Sequence, residues 1–385
     1  MANTRGNRRI AIIGGGFAGL VAAIDLAANG CAVTLVDREP DFLDATQLHR
    51  SVHTAVTELR TPIRTLANRH GFRFIEASPM FSARTLGAWH RQREIETGDE
   101  SLPFDFLVIA TGAGPATVKG RLRLQQPDQV LDLARLKAEG ALLAITRLLA
   151  GTPARNRALT LVGAGPTGLQ FLFELDDHLR ARGEDCLIHL VNTGTRLMPG
   201  LPKAFHDYAM EKITSRSGTI WSHLGSHFVS QGAKQVTLRD EKSANLSRHD
   251  SQLALLLGGV VAQPLTLKTN RYGQVMLRSS VMPAIFAAGD VARYAGGGLD
   301  TMTAQAAVRK GKLVAENIRL LSRGEAPIAY GYHALGYFLS LGPLDGIGWV
   351  GSPGNIVSGA AAFAVKAVVE AQFNLFLRCM DTYVG

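Results

Sequence analysis

The sequence predicts an α/β fold class: two Rossmann-type parallel-sheet domains and a small C-terminal region. Two observations and the length carry this. A short apolar run, Arg9–Ile13, is followed by a glycine cluster, by apolar residues at helical spacing over 20–28, and by a second β-rich run over 32–36. The same β-turn-α-β order returns 149 residues later: an apolar run over 158–162, a second glycine cluster, a helix through Leu179 and a strand over 187–191. At roughly 150 residues per domain, 385 residues make two to three domains, each long enough for its own core.

Gly14, Gly16 and Gly19 have the spacing of a dinucleotide fingerprint, with Phe17 and Ala18 between the last two. The first glycine allows a sharp turn, the second lets a pyrophosphate approach the backbone, and the third lets helix and strand pack closely. Asp37 closes the second strand 18 residues after Gly19, where a carboxylate can bond a ribose hydroxyl. A strand over 104–109 then runs into Ala110, Thr111 and Gly112. The second fingerprint is Gly163, Gly165 and Gly168, with Thr167 before the last glycine. A later strand over 285–288 delivers Gly289 and Asp290 to its carboxyl end, the edge of a parallel sheet at which nucleotides bind.

Composition excludes several classes. With 46% hydrophobic and 19% charged residues, the chain is neither disordered, nor collagenous, nor a small disulfide-stapled domain. The net charge of +9 raises nucleic acid or an anionic surface as partners. Much of the excess lies mid-chain, at Lys119, Arg121, Arg123, Arg135, Lys137, Arg147, Arg155 and Arg157. It reads as solvated helix faces and loops, and no nucleic-acid partner is expected. Cys31, Cys186 and Cys379 are too far apart for a C-x-x-C pair or any metal-ligand spacing, which fits a reducing cytoplasm. Arg5, Arg8 and Arg9 before an apolar run imitate a secretion signal, but the glycines inside that run fit a strand-turn-helix better. The uncharged stretch 346–365 is interrupted by Ser352, Pro353, Gly354 and Asn355, so no transmembrane helix is expected.

The motif order GGGFAG, FDFLVIATG, VGAGPTG, IFAAGDVA and TAQAAVRKG resembles the flavoproteins with two dinucleotide-binding domains, the glutathione-reductase-like superfold. Within them the chain is most similar to type II NADH dehydrogenases (NADH:quinone oxidoreductases), including the segment Leu59-Arg60-Thr61-Pro62-Ile63-Arg64. The resemblance covers nearly the whole chain. It implies an FAD-binding domain from 1–117 and 255–325, an inserted NAD(P)-binding domain from 118–254, and a C-terminal region from 326–385. Gly14, Gly16, Phe17, Ala18 and Gly19 would cradle the FAD pyrophosphate, and Asp37 with Arg38 would hold the adenosine ribose. Thr111 and Gly112 would pass close to the flavin nucleotide, and Gly289 with Asp290 would meet its ribityl chain. Gln305 would stand near the start of the helix behind the isoalloxazine. That helix, capped by Thr301 or Thr303 and running to about Leu321, would turn its positive end toward the flavin. Gly163, Gly165, Thr167, Gly168, Asn192 and Arg196 would serve NADH or NADPH.

Three places depart from the resembling pattern. Leu169-Gln170 replaces Val-Glu, so Gln170 offers an amide where a carboxylate is expected near the nicotinamide. Asn192 ends its strand in place of an acid, which removes the repulsion against a 2′-phosphate, and Arg196 is close enough in sequence to offer a countercharge. Arg309-Lys310 replaces the paired glutamines of the quinone pocket; it reads either as a cationic acceptor site or as the basic surface of a solvated helix. His49, His53 and Lys310 are the remaining acid-base candidates, and Gln170, Gln305 and Lys310 the catalytic ones.

Near the C-terminus, Lys366, Glu370, Asn374 and Arg378 recur at i, i+4 spacing, a thin polar stripe on a helix otherwise lined by Phe363, Val365, Val369, Phe373, Phe376 and Leu377. Such a helix is buried in a core or homodimer, or presses into the inner face of a membrane. The expected function is electron transfer from NADH or NADPH through FAD to a small-molecule acceptor, quinone-like or small organic. Two other readings stand beside it: an FAD-binding redox sensor or interaction protein with a degraded nicotinamide site, and a biosynthetic flavoenzyme acting on a specialised small molecule.

Overall fold

The computed structural model describes residues 7–80, 82–98, 100–115, 127–258, 260–261, 266–296, 301–331 and 333–383. Lys119, Arg121, Arg123 and the expected boundary at 117/118 lie outside them. The chain divides into two compact units, 1–43 with 60–114 and 261–334, and 44–59 with 115–260 and 335–385.

The first unit is built on an eight-stranded sheet. Its order is Ala292–Tyr294, Leu267–Thr269, Gln274–Leu277, Ser280–Ala287, Phe106–Ile109, Arg9–Ile13, Ala32–Asp37 and Arg73–Glu76. The strands from Ser280–Ala287 to Arg73–Glu76 pair in parallel, with Ile12 beside Val108 and Leu35. Parallel strands are covered on both faces, which is why Ile12, Leu35, Val108 and Ile285 are fully buried. Helices Phe17–Ala28 and Ala304–Ser322 pack on each other. Gly311 makes this approach possible, because a Cβ there would come within 2.5 Å of the Ala18 carbonyl oxygen.

The second unit carries a five-stranded parallel sheet, in the order Val130–Asp132, Leu253–Leu256, Ala158–Val162, Leu187–Asn192 and Ile220–Leu224. A three-stranded antiparallel sheet, Ser226–Gln231, Gln235–Asp240 and Leu246–Asp250, shares an apolar core with it through Val191, Phe228, Val236 and Ala254. A second antiparallel sheet, Gly336–Ser340, Gly346–Val350 and Ile356–Ser358, leads into the helix Gly359–Phe376.

The expected boundary at 254/255 falls within Leu253–Leu256, an interior strand of this sheet, so the second nucleotide fold extends past it. Residues 335–385 group with the same unit. There Asp345 accepts from Tyr208 Oη at 2.7 Å and pairs with Lys212. Residues 44–59 join the unit through contacts of the Ala45–Val52 turn with the helix Pro166–Ala181.

Candidate functional site

The two glycine loops are copies in geometry. Gly14 and Gly163 both have φ +110°, and a Cβ on either would strike the carbonyl oxygen of a neighbouring strand end: Ala110 at 2.3 Å, Leu257 at 2.7 Å. Gly19 and Gly168 let helix meet strand, since a Cβ on either would lie 1.8 Å from the carbonyl oxygen of Gly14 or Gly163. At the middle glycines, Gly16 and Gly165, a Cβ would meet nothing within 4 Å. These two glycines are therefore not demanded by packing; they keep open the space in front of a helix N-terminus. Both are N-caps without a side-chain cap bond, which leaves the first-turn amides of Phe17–Ala28 and Pro166–Ala181 to an anion.

The strand-end residues repeat the parallel. Asp37 accepts from the amide of Gly15 and, at 2.9 Å, from that of Glu39. Asn192 accepts from the amide of Ala164 at 3.2 Å and donates to the carbonyl of Gly194 at 2.8 Å. Each end thus steadies its own loop, one with a charge and one without. Arg196 is half-buried and donates to the Leu201 carbonyl at 2.6 Å, while its Nε is buried with no partner among the described residues. Arg38 is exposed beside Glu39. Thr167 lies half-buried in the first turn of its helix.

In the first unit several predicted residues converge. Phe17 sets its ring against the edge of Phe42, with centroids 5.1 Å apart. Gly289, at φ +74°, brings its turn so close that a Cβ would lie 3.1 Å from the Ala18 side chain and 3.9 Å from Ala307. Asp290, half-buried, follows in the same short turn. Thr303 caps the helix Ala304–Ser322 by accepting from the amide of Ala306 at 3.1 Å, and Gln305 is the second residue of that helix. Thr111 Oγ1, at the end of Phe106–Ile109, is buried without a partner among the described residues. The open space at Gly16, the uncapped helix end and this buried hydroxyl fit a bound dinucleotide.

Lys310 departs from both of its expected roles, the acceptor-site cation and the solvated surface group. It is 1% exposed, donates to the carbonyls of Gly289 at 3.3 Å and Ala292 at 3.1 Å, and lies 5.1 Å from the centre of the Tyr294 ring. Its ammonium braces the Gly289–Asp290 turn from within the core. Arg309 is half-buried.

In the second unit Gln170 is buried, and its amide donates to Ser340 Oγ at 3.1 Å. His49 is buried too; burial and nearby cations, Lys366 foremost, push its pKa down to about 3. His53 bonds Glu174 at 2.7 Å. Glu174 was not singled out from sequence, although it lies one helical turn beyond Gln170. Burial pushes the thiol of Cys186 up to about 12 and raises that of Cys31, the opposite of the low-pKa thiolate that disulfide chemistry uses.

The C-terminal helix splits its expected apolar lining: Phe373, Phe376 and Leu377 are buried, as in a core helix, whereas its valines are not. Lys366 and Glu370 pair on its inward side, within electrostatic reach of Asp44, whereas Val365, Val368 and Val369 are 37%, 69% and 43% exposed. Asn374 and Arg378 are exposed, so the polar stripe is not continuous. Among the described residues no helix is long and apolar enough to cross a membrane.

Comparison with known proteins agrees with this architecture. A family model described as pyridine nucleotide-disulphide oxidoreductase matches residues 8–311. The type II NADH:quinone oxidoreductase of Staphylococcus haemolyticus is 22% identical over 390 residues, covering 95% of this chain and 94% of that protein. Among solved structures, the sulfide:quinone oxidoreductase of Aquifex aeolicus superposes with a TM-score of 0.76 at 17% identity, covering 97% of this chain and 92% of the other. NDH2 from Plasmodium falciparum in complex with NADH gives 0.73 at 14% identity, covering 95% of each chain.

Proposed function

The chain belongs to the pyridine nucleotide-disulphide oxidoreductase family, and from that premise we propose that it is an FAD-dependent oxidoreductase carrying electrons from NADH or NADPH to a quinone-like acceptor. The observation that carries this reading is the pair of matched loops, each with an open middle glycine before an uncapped helix. FAD, held by the first loop, would supply the redox chemistry that links a nicotinamide donor to the acceptor.

The protein supplies binding and orientation. Gly14, Gly16 and Gly19 admit the FAD pyrophosphate to the helix end, Asp37 offers its carboxylate to the adenosine ribose, and Thr111 and Asp290 hold the flavin nucleotide. Gly289 and Lys310 keep the Asp290 turn in place. The second loop, with Gly163, Gly165, Thr167 and Gly168, takes the nicotinamide nucleotide, and uncharged Asn192 accepts either ribose or ribose 2′-phosphate.

The outward face of Gly359–Phe376 lies, in this reading, on a membrane surface where lipid-soluble quinones reside. The printed names of the curated relatives, type II NADH:quinone oxidoreductases, support that acceptor class. Reoxidation of the chemically reduced protein tests it: a water-soluble quinone should return the flavin to its oxidised spectrum faster than oxygen or a small disulfide does. Rapid turnover with a disulfide and none with quinones would contradict the assignment.

A further inference from the structure

In the second unit three histidines from three strands converge. His189 lies in Leu187–Asn192, His223 in Ile220–Leu224, and His249 in Leu246–Asp250 of the antiparallel sheet. Residues 189 and 191 pair with 221 and 223, so His189 and His223 project from the same face of the parallel sheet. One nitrogen from each of the three rings lies within 4.8 Å of the other two. The geometry points to a binding site for a late first-row divalent cation, Zn²⁺ foremost, that cross-links the two sheets through His189, His223 and His249.

The hydrogen bonds already select the ligand form of His189. His189 Nε2 lies 3.1 Å from the Asp250 carbonyl, which can only accept, so Nε2 carries the proton and the Nδ1 lone pair faces His223 Nε2 at 2.9 Å. A backbone carbonyl receiving the outer N–H is the usual support behind a metal-bound imidazole. Tetrahedral Zn²⁺ with bonds of about 2.0–2.1 Å separates its ligands by roughly 3.3 Å, so the 2.9 Å pair opens by a few tenths of an ångström. On binding, His223 changes tautomer: the Nε2 proton is given up and one is taken up at Nδ1 through solvent, so the ring stays neutral with its Nε2 lone pair free. Burial and the neighbouring rings push His189 and His223 down to about 4, so both are neutral at physiological pH. His223 and His249 are half-buried, which gives water access to a fourth coordination position. Imidazole ligands favour Zn²⁺, Cu²⁺ and Ni²⁺ over Mg²⁺.

The test is equilibrium dialysis of the untagged, flavin-loaded protein against micromolar free Zn²⁺, with His223→Gln and His249→Gln as variants. The unaltered chain should bind one equivalent and unfold at a higher temperature with it. Either variant should weaken binding by at least about a hundredfold. Ni²⁺ and Cu²⁺ should compete, and Mg²⁺ should not. Absence of bound Zn²⁺, or a full equivalent retained in both variants, would overturn the assignment. A second reading avoids the variants: in the unaltered chain Zn²⁺ should shield His223 and His249 from acylation by diethyl pyrocarbonate. Shielding of other histidines instead would overturn it as well.

Discussion

Asn192 concentrates the question of which nicotinamide nucleotide is used, because its side chain is tied to Ala164 and Gly194 and carries no charge. It neither repels a 2′-phosphate nor binds two ribose hydroxyls as a carboxylate does, so NADH and NADPH should differ by less than about a hundredfold in kcat/KM. Asn192→Glu should move the preference toward NADH by at least about tenfold, read from initial rates with both donors. His49 makes a prediction about pH. Its folded pKa of about 3 lies below the ordinary 6.5, so between those values the unfolded chain binds one proton more than the folded one. Stability from this group is present above pH 6.5 and falls as pH drops through the window, by about 1.4 kcal/mol per pH unit. His49→Gln should flatten the acid limb of the unfolding free energy; an unchanged slope would contradict its neutral burial. Sequence marked His49 and Lys310 as acid-base candidates because residue type is visible there and depth is not. The carbonyls that hold Lys310 belong to Gly289 and Ala292, a turn some twenty residues away in sequence.

The glycine loops were legible from sequence almost residue by residue, because their conformation is fixed locally by three glycines between a strand and a helix. Structure adds that these glycines differ in kind. Gly19 and Gly168 are required by the fold, whereas Gly16 and Gly165 are not. Gly16→Ala should therefore fold and lose FAD, and Gly165→Ala should keep its flavin spectrum and lose nicotinamide binding. Absorbance after gel filtration and a direct NADH titration check the pair; a variant that folds and binds as before would show that the open space is not a phosphate cradle. The C-terminal helix was legible only in part. Its i, i+4 pair is plain in sequence, but which side faces inward depends on Asp44 and His49, more than 300 residues earlier. Val365→Glu with Val368→Glu should leave flavin reduction intact and abolish sedimentation with anionic vesicles, since two charges would replace the exposed apolar face. Undiminished sedimentation would remove this helix from the membrane contact.

At the scale of the molecule, two Rossmann-type sheets within one chain were readable from the 149-residue recurrence, since each sheet is set by its own strands and loop. The grouping of 44–59 and 335–385 with the second sheet was not, because it rests on pairings such as Lys212 with Asp345 between residues far apart in sequence. In the proposed mechanism the matched loops hold two different nucleotides, and electrons pass from one to the other. Anaerobic titration of the purified protein with NADH, followed by flavin absorbance, is the decisive measurement. The purified protein should be yellow with one FAD per chain and bleach fully with about one equivalent of NADH or of NADPH, because two electrons reduce one flavin. A colourless protein that takes up no FAD, or a yellow one that neither nucleotide bleaches, would contradict it.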